Sequence, residues 1–294
     1  MPDKFAETLN LHNFDLHNHS IASDGLLTPT ALIELAAGRC DAIALTDHDT
    51  VAGLDEAAAA ASQHGLRFIR GVEISVTWPD RMRYPDMKSG TIHIVGLNID
   101  PAHETLAAGL ESIRTGRAVR AKWMDDDFRS VGIEGLLDDA YALAENKSMI
   151  GRTHFARALT KRGLVKSVGK AFERYLTHGK TGYVPHQWAD LADAVGWIVA
   201  AGGVAVLAHP GRYKISADEM RLLLDEFRKA GGRGIEVVTG SHQPRHYREY
   251  ATLAREFGLL ASRGADFHGI GESPFQPGEL PPLPDNLTPV WSVL

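Results

Sequence analysis

The sequence predicts an α/β fold in which seven strands alternate mainly with helices, forming a parallel barrel or strongly curled sheet interrupted by a helical stretch. Three observations lead there. Short apolar runs bounded by turn residues recur in the first and last thirds of the chain. Helix-cap signatures separate most of them. The middle, about 101–187, contains no convincing strand and reads as several helices.

Phe14 to Leu16 is a short strand, and Thr28 caps a helix with Pro29 at its first position that ends at Gly38. Ala42 to Thr46 is an apolar run between turns, hence a buried strand. Asp49 or Thr50 caps an alanine-rich helix that stops at Gly65. Phe68 to Ser75 and Thr91 to Asn98 are the next strands, joined by the polar loop Trp78 to Gly90. Past the middle, a helix from Ala189 to Ala201 ends at Gly202 and Gly203, and Val204 to Ala208 is a strand. Ser216 to Glu219 is a capping box ahead of apolar positions Met220, Leu223, Leu224 and Phe227. Gly234 to Val238 is the sixth strand, Pro244 to Phe257 a helix closed by Gly258, and Leu259 to Ala265 the last strand. The proline-rich tail from Pro274 is expected to wrap the surface. The expected division is a barrel from 1–100 and 188–294, with a helical insertion over the strand ends at 101–187. That insertion includes a long charged helix from Glu104 to Val131.

With 294 residues, 44% hydrophobic and 23% charged, the composition is that of an ordinary globular protein. A net charge of −6 argues against non-specific nucleic-acid binding over the whole surface. Cys40 is the only cysteine, which excludes an intrachain disulfide and a cysteine-rich zinc site. Met1 to Asn10 is polar and lacks the apolar core of a signal peptide. The longest uncharged apolar stretch, Ala194 to Ala208, is too short to span a bilayer. A cytoplasmic protein with no membrane association and no obligate protein partner is expected. Histidine is the outlier, with 14 residues, roughly twice ordinary usage.

In βα barrels the chemistry collects at the C-terminal ends of the strands. There this chain carries His17, His19 and Asp24, then Asp47-His48-Asp49, Glu73, His93, His209-Pro210, Ser241-His242, and Asp266 with His268. A spacing of two in His17-x-His19 and Asp266-x-His268 puts both side chains on one side of an extended segment. Singly, each has an ordinary explanation: a core histidine for His93, a strand-end ion pair for Glu73, a helix cap for Asp49. Ligand-type residues at all seven strands are a different matter, and imidazole with carboxylate suits zinc, iron or manganese. The pattern therefore predicts a polynuclear metal site.

His17-x-His19 with Asp24-Gly25, Thr46-Asp47-His48, Gly71-Val72-Glu73, Ile92-His93, Ala208-His209-Pro210 and Asp266-x-His268 resemble, in order, the motifs of the PHP (polymerase and histidinol phosphatase) family. The resemblance implies a distorted seven-stranded (β/α)7 barrel holding two or three divalent metals, manganese favoured and iron or zinc possible. It implies one metal on His17, His19, Glu73 and Asp266, and a second bridged by Glu73 with His93 and His209. A third would take Asp24, His48 and His268. Gly151-Arg152-Thr153-His154-Phe155-Ala156 is similar to a segment of the branch that contains 3′,5′-nucleoside bisphosphate phosphatases and 5′-to-3′ exoribonucleases.

The expected activity is a metal-dependent phosphoesterase that removes the 3′-phosphate of nucleoside 3′,5′-bisphosphates and acts on short 5′-phosphorylated RNA. A metal-bridging hydroxide near Glu73 and Asp266 would be the nucleophile. Arg152 offers a planar donor fork for phosphate, with His154, Ser241 and His242 as further substrate contacts. His154 and His242 are the candidate proton donors. Arg117, Arg120 and Lys122 add a candidate basic lining. Histidinol-phosphate phosphatase, metal-dependent amidohydrolase and a non-catalytic nucleotide-binding or polymerase-accessory module are the alternatives.

Overall fold

The computed structural model describes residues 13–294 except 80–83, 85, 86, 88, 89 and 187. The reading of Met1 to Asn10, most of the loop before Gly90, and the Gln187 boundary lie outside the described residues. The first half contributes β1 (Phe14–Asp15), α1 (Pro29–Ala36), β2 (Ala42–Leu45), α2 (Leu54–His64), β3 (Arg67–Trp78) and β4 (Gly90–Leu97). Then come α3 (Glu104–Arg114), α4 (Arg117–Ser130), α5 (Leu136–Ala142), α6 (Arg152–Lys161) and α7 (Val168–Ala171). The chain returns through α8 (Leu191–Ala200), β5 (Val204–Leu207), α9 (Ala217–Lys229), β6 (Gly234–Thr239), α10 (Pro244–Glu256) and β7 (Leu260–Gly264).

The seven strands lie in sequence order in one sheet. It curls until β7 meets β1, through Leu16 N–H to the Arg263 carbonyl at 2.9 Å, Asp266 N–H to the His17 carbonyl at 2.8 Å and His19 N–H to the Phe267 carbonyl at 2.9 Å. The expected all-parallel arrangement fails at one strand, because β4 runs antiparallel to both β3 and β5. The connection from Trp78 to Gly90 is shorter than the dozen or more residues that a parallel crossover needs, so β4 returns as an antiparallel neighbour. The reversal matters for function. The N-terminal half of β4 lies at the end where the other strands have their C-termini, which is where His93 belongs.

Most local signals are realised. Thr28 Oγ1 accepts the Ala31 N–H with Pro29 at the first helical position, and Ser216 with Glu219 completes a capping box. Gly65 closes α2 in the left-handed conformation. Neither Asp49 nor Thr50 caps α2, however, since the helix begins at Leu54. Asp49 has φ +48°, and its carboxylate is consumed by the Ser75 N–H at 2.8 Å, the Ser75 hydroxyl at 3.0 Å and Arg117. The long helix expected from Glu104 to Val131 is two helices broken at Thr115-Gly116, where a Cβ on Gly116 would lie 2.4 Å from the His186 ring.

The core divides unequally. Leu106, Leu110 and Ile113 of α3 join the main barrel core, and the Gly109 backbone packs so closely on Trp197 that a Cβ would lie 2.3 Å away. A separate core of Phe128, Leu136, Phe155, Leu159 and Leu176 begins only with α4. The helical unit with its own core is therefore narrower than 101–187. The proline-rich tail does more than wrap the surface. Pro289 bridges to Ala261, Val290 is fully buried, and Trp291 stacks on Phe14 with ring centres 4.9 Å apart, closing the barrel end opposite the strand-end loops.

Barrel closure leaves no room beside β1. A Cβ on Gly264 would fall 2.4 Å from the His17 Cβ and 2.5 Å from its backbone nitrogen. Gly264→Ala is expected to lower stability by about 1–3 kcal/mol, read as a lower urea midpoint with an unchanged m value.

Candidate metal centre

One carboxylate lies at the centre of the strand ends. Glu73 is fully buried on β3, and His93 Nδ1, His209 Nε2 and His48 Nδ1 each lie 2.9 Å from one of its oxygens. His17 Nε2 and His19 Nε2 lie 3.3 Å from it. Asp266 Oδ1 stands 3.5 Å from His17 Nε2 and 3.3 Å from His19 Nε2. Asp24 Oδ1 approaches His268 Nε2 at 3.4 Å and His48 Nε2 at 3.9 Å. All nine residues expected to hold metals thus converge on one site, in three overlapping groups. His17, His19, Glu73 and Asp266 form the first. Glu73 and His93 form the second with His48, and His209 Nε2 stands beside it, 2.9 Å from Glu73 and 3.3 Å from His93 Nδ1. Asp24, His48 and His268, joined by His19, form the third.

The donor set fits divalent cations on physical grounds. Buried His19 Nδ1, His48 Nδ1, Asp24 Oδ1, Glu73 Oε2 and Asp266 Oδ1 have no hydrogen-bond partner. Orphaned buried polar atoms cost free energy, and these crowd together at contact distance without hydrogen-bond alignment. A cation among them removes that cost. Electrostatics agree for the carboxylates and for part of the histidines. Burial resists ionisation of Glu73, yet His48, His93 and His17 hold its carboxyl well below the usual range. Burial also resists ionisation of Asp266 and Asp24, whose carboxyls neighbouring imidazoles likewise hold low. Burial, with His268 beside it, pushes His19 down to about 3, and burial with Arg212 pushes His209 down to about 3. Ionised carboxylate and neutral imidazole are the forms that bind metal. His17, His48 and His268 are instead raised, against burial, by the carboxylates beside them, His48 to about 9, so a cation entering there displaces protons.

Several site residues sit in left-handed backbone: Asp49 at φ +48°, His209 at φ +26° and Asp266 at φ +53°. Such conformations persist in non-glycine residues where surrounding bonds hold them. Those bonds involve residues that no motif flagged. Glu236, buried on β6, accepts from His17 Nδ1 at 2.9 Å and from the His209 N–H at 2.6 Å. The Tyr213 hydroxyl donates to the Ala208 carbonyl at 2.7 Å and accepts the His93 N–H at 3.0 Å. Arg212 Nη1 lies 2.7 Å from Asp266 Oδ2. A charged residue inside the apolar run Gly234 to Thr239 was the one available signal for Glu236.

The metal groups open into a cleft of about 630 Å³ whose far wall is cationic. Arg117, Arg120 and Arg152 line it, with Ser241 and the aromatic rings of Trp188 and Phe172, while Arg212 lines the cleft beside the metal groups, paired with Asp266. Arg117 pairs with Asp49 and leaves a buried Nε unpartnered. Arg117 and Arg120 stack over Trp188 at 4.9 and 5.2 Å. Burial, with Arg152 and Arg117 close by, pushes Arg120 down to about 9. Neither Arg120 nor Arg152 forms an ion pair among the described residues. Lys122 is exposed and does not line the cleft.

Two expected proton donors are placed otherwise. His242 Nδ1 lies 3.0 Å from the Val237 carbonyl, its Nε2 accepts the Gly211 N–H at 3.0 Å, and burial pushes it down to about 4. Both nitrogens are occupied, so it braces the loop after β5. His154 Nδ1 accepts the Gly151 N–H at 3.2 Å, and burial pushes it down to about 4, leaving a neutral ring that fixes the start of α6. Neither is among the residues lining the cleft.

The family description "PHP domain" matches residues 15–240. A 3′,5′-nucleoside bisphosphate phosphatase of Chromobacterium violaceum is 50% identical over 283 residues, covering 96% of each chain. A 5′-3′ exoribonuclease of Haemophilus influenzae is 41% identical over 279 residues, covering 95% of this chain and 97% of its own. The solved structure of an amidohydrolase from Chromobacterium violaceum with bound sulfate and no metal superposes with a TM-score of 0.90 at 50% identity, over 95% of each chain.

Relief of the orphaned donors is measurable. Metal-free protein titrated with Mn2+ to about 100 times Kd is expected to gain roughly 2.7 kcal/mol in unfolding free energy, and Glu73→Ala to abolish the gain.

Proposed function

The chain belongs to the PHP family of metal-dependent phosphoesterases, and on that premise we propose that it removes the 3′-phosphate from nucleoside 3′,5′-bisphosphates. The observation that carries this reading is a single cleft with a histidine–carboxylate cluster on one side and three arginines, Arg117, Arg120 and Arg152, on the other. Among the described residues only Arg117 of the three has a carboxylate partner, Asp49. A substrate with two phosphates satisfies both walls: one phosphate at the metal groups, the other compensating the buried guanidinium charge.

In this reading His17, His19, Glu73 and Asp266 would hold one divalent ion, Glu73 with His93 and His209 would hold a second, and Asp24, His48 and His268 would hold a third. Bound ions supply an activated water and Lewis-acid polarisation of the phosphoryl oxygens. The protein's own groups do the rest. Arg152 and Arg117 orient the second phosphate, and the stacked Trp188 holds Arg117 and Arg120 in place. Arg212, tied to Asp266, faces the reacting phosphoryl group. With His154 and His242 outside the cleft lining, no described cleft histidine outside the metal groups is left to serve the leaving oxygen, so its proton comes from water.

A short 5′-phosphorylated RNA presents the same two phosphates around its first ribose, which extends the proposal to such chains. The amidohydrolase alternative loses support, since among the described residues no lysine lines the cleft to form a carbamate bridge and Glu73 occupies the centre. No described helix is long and apolar enough to cross a membrane.

Phosphate release from adenosine 3′,5′-bisphosphate is the direct assay, with adenosine 3′-monophosphate and histidinol phosphate alongside. The bisphosphate is expected to be the preferred substrate. Arg152→Ala should cost about 1.5–3 kcal/mol in kcat/KM for the bisphosphate, roughly tenfold or more, while barely changing the 3′-monophosphate. Equal native rates on bisphosphate and 3′-monophosphate would overturn the anchoring role. Glu73→Gln should lose bound metal and activity together.

A further inference from the structure

We infer that Glu236 is a positioning residue that sets two metal positions at once, by fixing the ring of His17 and the backbone of His209 with one carboxylate. The inference rests on the metal-site reading above but not on any substrate. Glu236 is 1% exposed and stands on β6 among Ile235, Val237 and Val238, all buried. A carboxylate in such surroundings is costly unless its oxygens are engaged. Each oxygen has one partner, and both partners lead into the metal groups: Oε1 to His17 Nδ1 at 2.9 Å and Oε2 to the His209 N–H at 2.6 Å.

The two contacts do different work. An acceptor at His17 Nδ1 fixes the tautomer with the proton on that nitrogen. The Nε2 lone pair is left to face Glu73, His19 and Asp266, which lie at 3.3, 3.1 and 3.5 Å. The contact to the His209 N–H anchors a residue at φ +26°. In that conformation the His209 ring turns back so that Nε2 reaches Glu73 Oε1 at 2.9 Å. His17 belongs to the first metal group and His209 stands beside the second, so one side chain couples their geometry. A buried glutamate that served only the fold would have no reason to direct both oxygens at ligand residues.

The substitution that isolates this role is Glu236→Gln, which keeps shape and burial but offers one acceptor where two are needed. Metal content and affinity are read by chelator competition with Mn2+, the unfolding midpoint of the metal-free protein is read in parallel, and kcat and KM are separated. The expected result is a metal-free midpoint close to native and Mn2+ affinity lower by about 10–100-fold. The expected kcat falls at limiting Mn2+ and recovers with excess, with KM little changed. Glu236→Asp, which keeps the charge on a shorter arm, should recover part of the affinity. Native Mn2+ affinity in Glu236→Gln would overturn the inference. So would a loss of affinity that merely tracks destabilisation of the metal-free protein. Because Mn2+ binding is measured without substrate, the result stands apart from the bisphosphate assay.

Discussion

The structure depends on burying one carboxylate. Glu73 lies at the convergence of seven strands with five imidazoles within 3.3 Å of its oxygens. Removing a carboxylate from water is unfavourable by several kcal/mol unless it is paired and coordinated, and this site collects charge and lone pairs on every side. The ligand loops carry backbone that is unfavourable by itself, at Asp49, His209 and Asp266. Glu236, Ser75 and the β1–β7 seam hold them there. Stability is traded locally for a constellation that a divalent ion completes.

The helical unit supplies what the barrel lacks. The barrel end provides histidines and carboxylates, whereas the cationic wall comes chiefly from Arg117, Arg120 and Arg152 on α4 and α6. Its attachment is specific. Arg114 Nη1 donates to the Asp49 carbonyl at 2.9 Å, Asn146 reaches the Ala22 carbonyl at 2.9 Å, and Arg157 grips Glu272 through two bonds of 2.9 and 2.8 Å. All three land on loops that carry or adjoin metal-group residues. Asp49 joins the two halves of the site most directly, since its neighbour His48 faces Glu73 in the histidine–carboxylate cluster while its own carboxylate holds Arg117 of the helical unit.

The clustered histidines and carboxylates were legible in the sequence because each sits in or next to a strand whose apolar run and turn signals mark it. The supporting residues were not. Tyr213, Arg212 and Glu236 look like ordinary loop or strand residues until the fold brings them against a histidine. His242 and His154 misled for the opposite reason: a histidine in the right neighbourhood reads as functional, and only its hydrogen-bond partners show that both rings brace backbone.

Periodicity and caps in the sequence were enough to determine an α/β chain with seven strands, most helix boundaries, and nine ligand-type side chains in the order the strands deliver them. These are local properties, decided by burial period and by which backbone groups a side chain can satisfy. Tertiary structure alone decided the direction of β4, the break in the long helix at Gly116, and the allegiance of α3 to the barrel core. It also decided which arginines face the cleft and which carboxylate orients the ligands. Each of these turns on a contact between residues distant in sequence, where close approach and pairing, not local preference, select the arrangement.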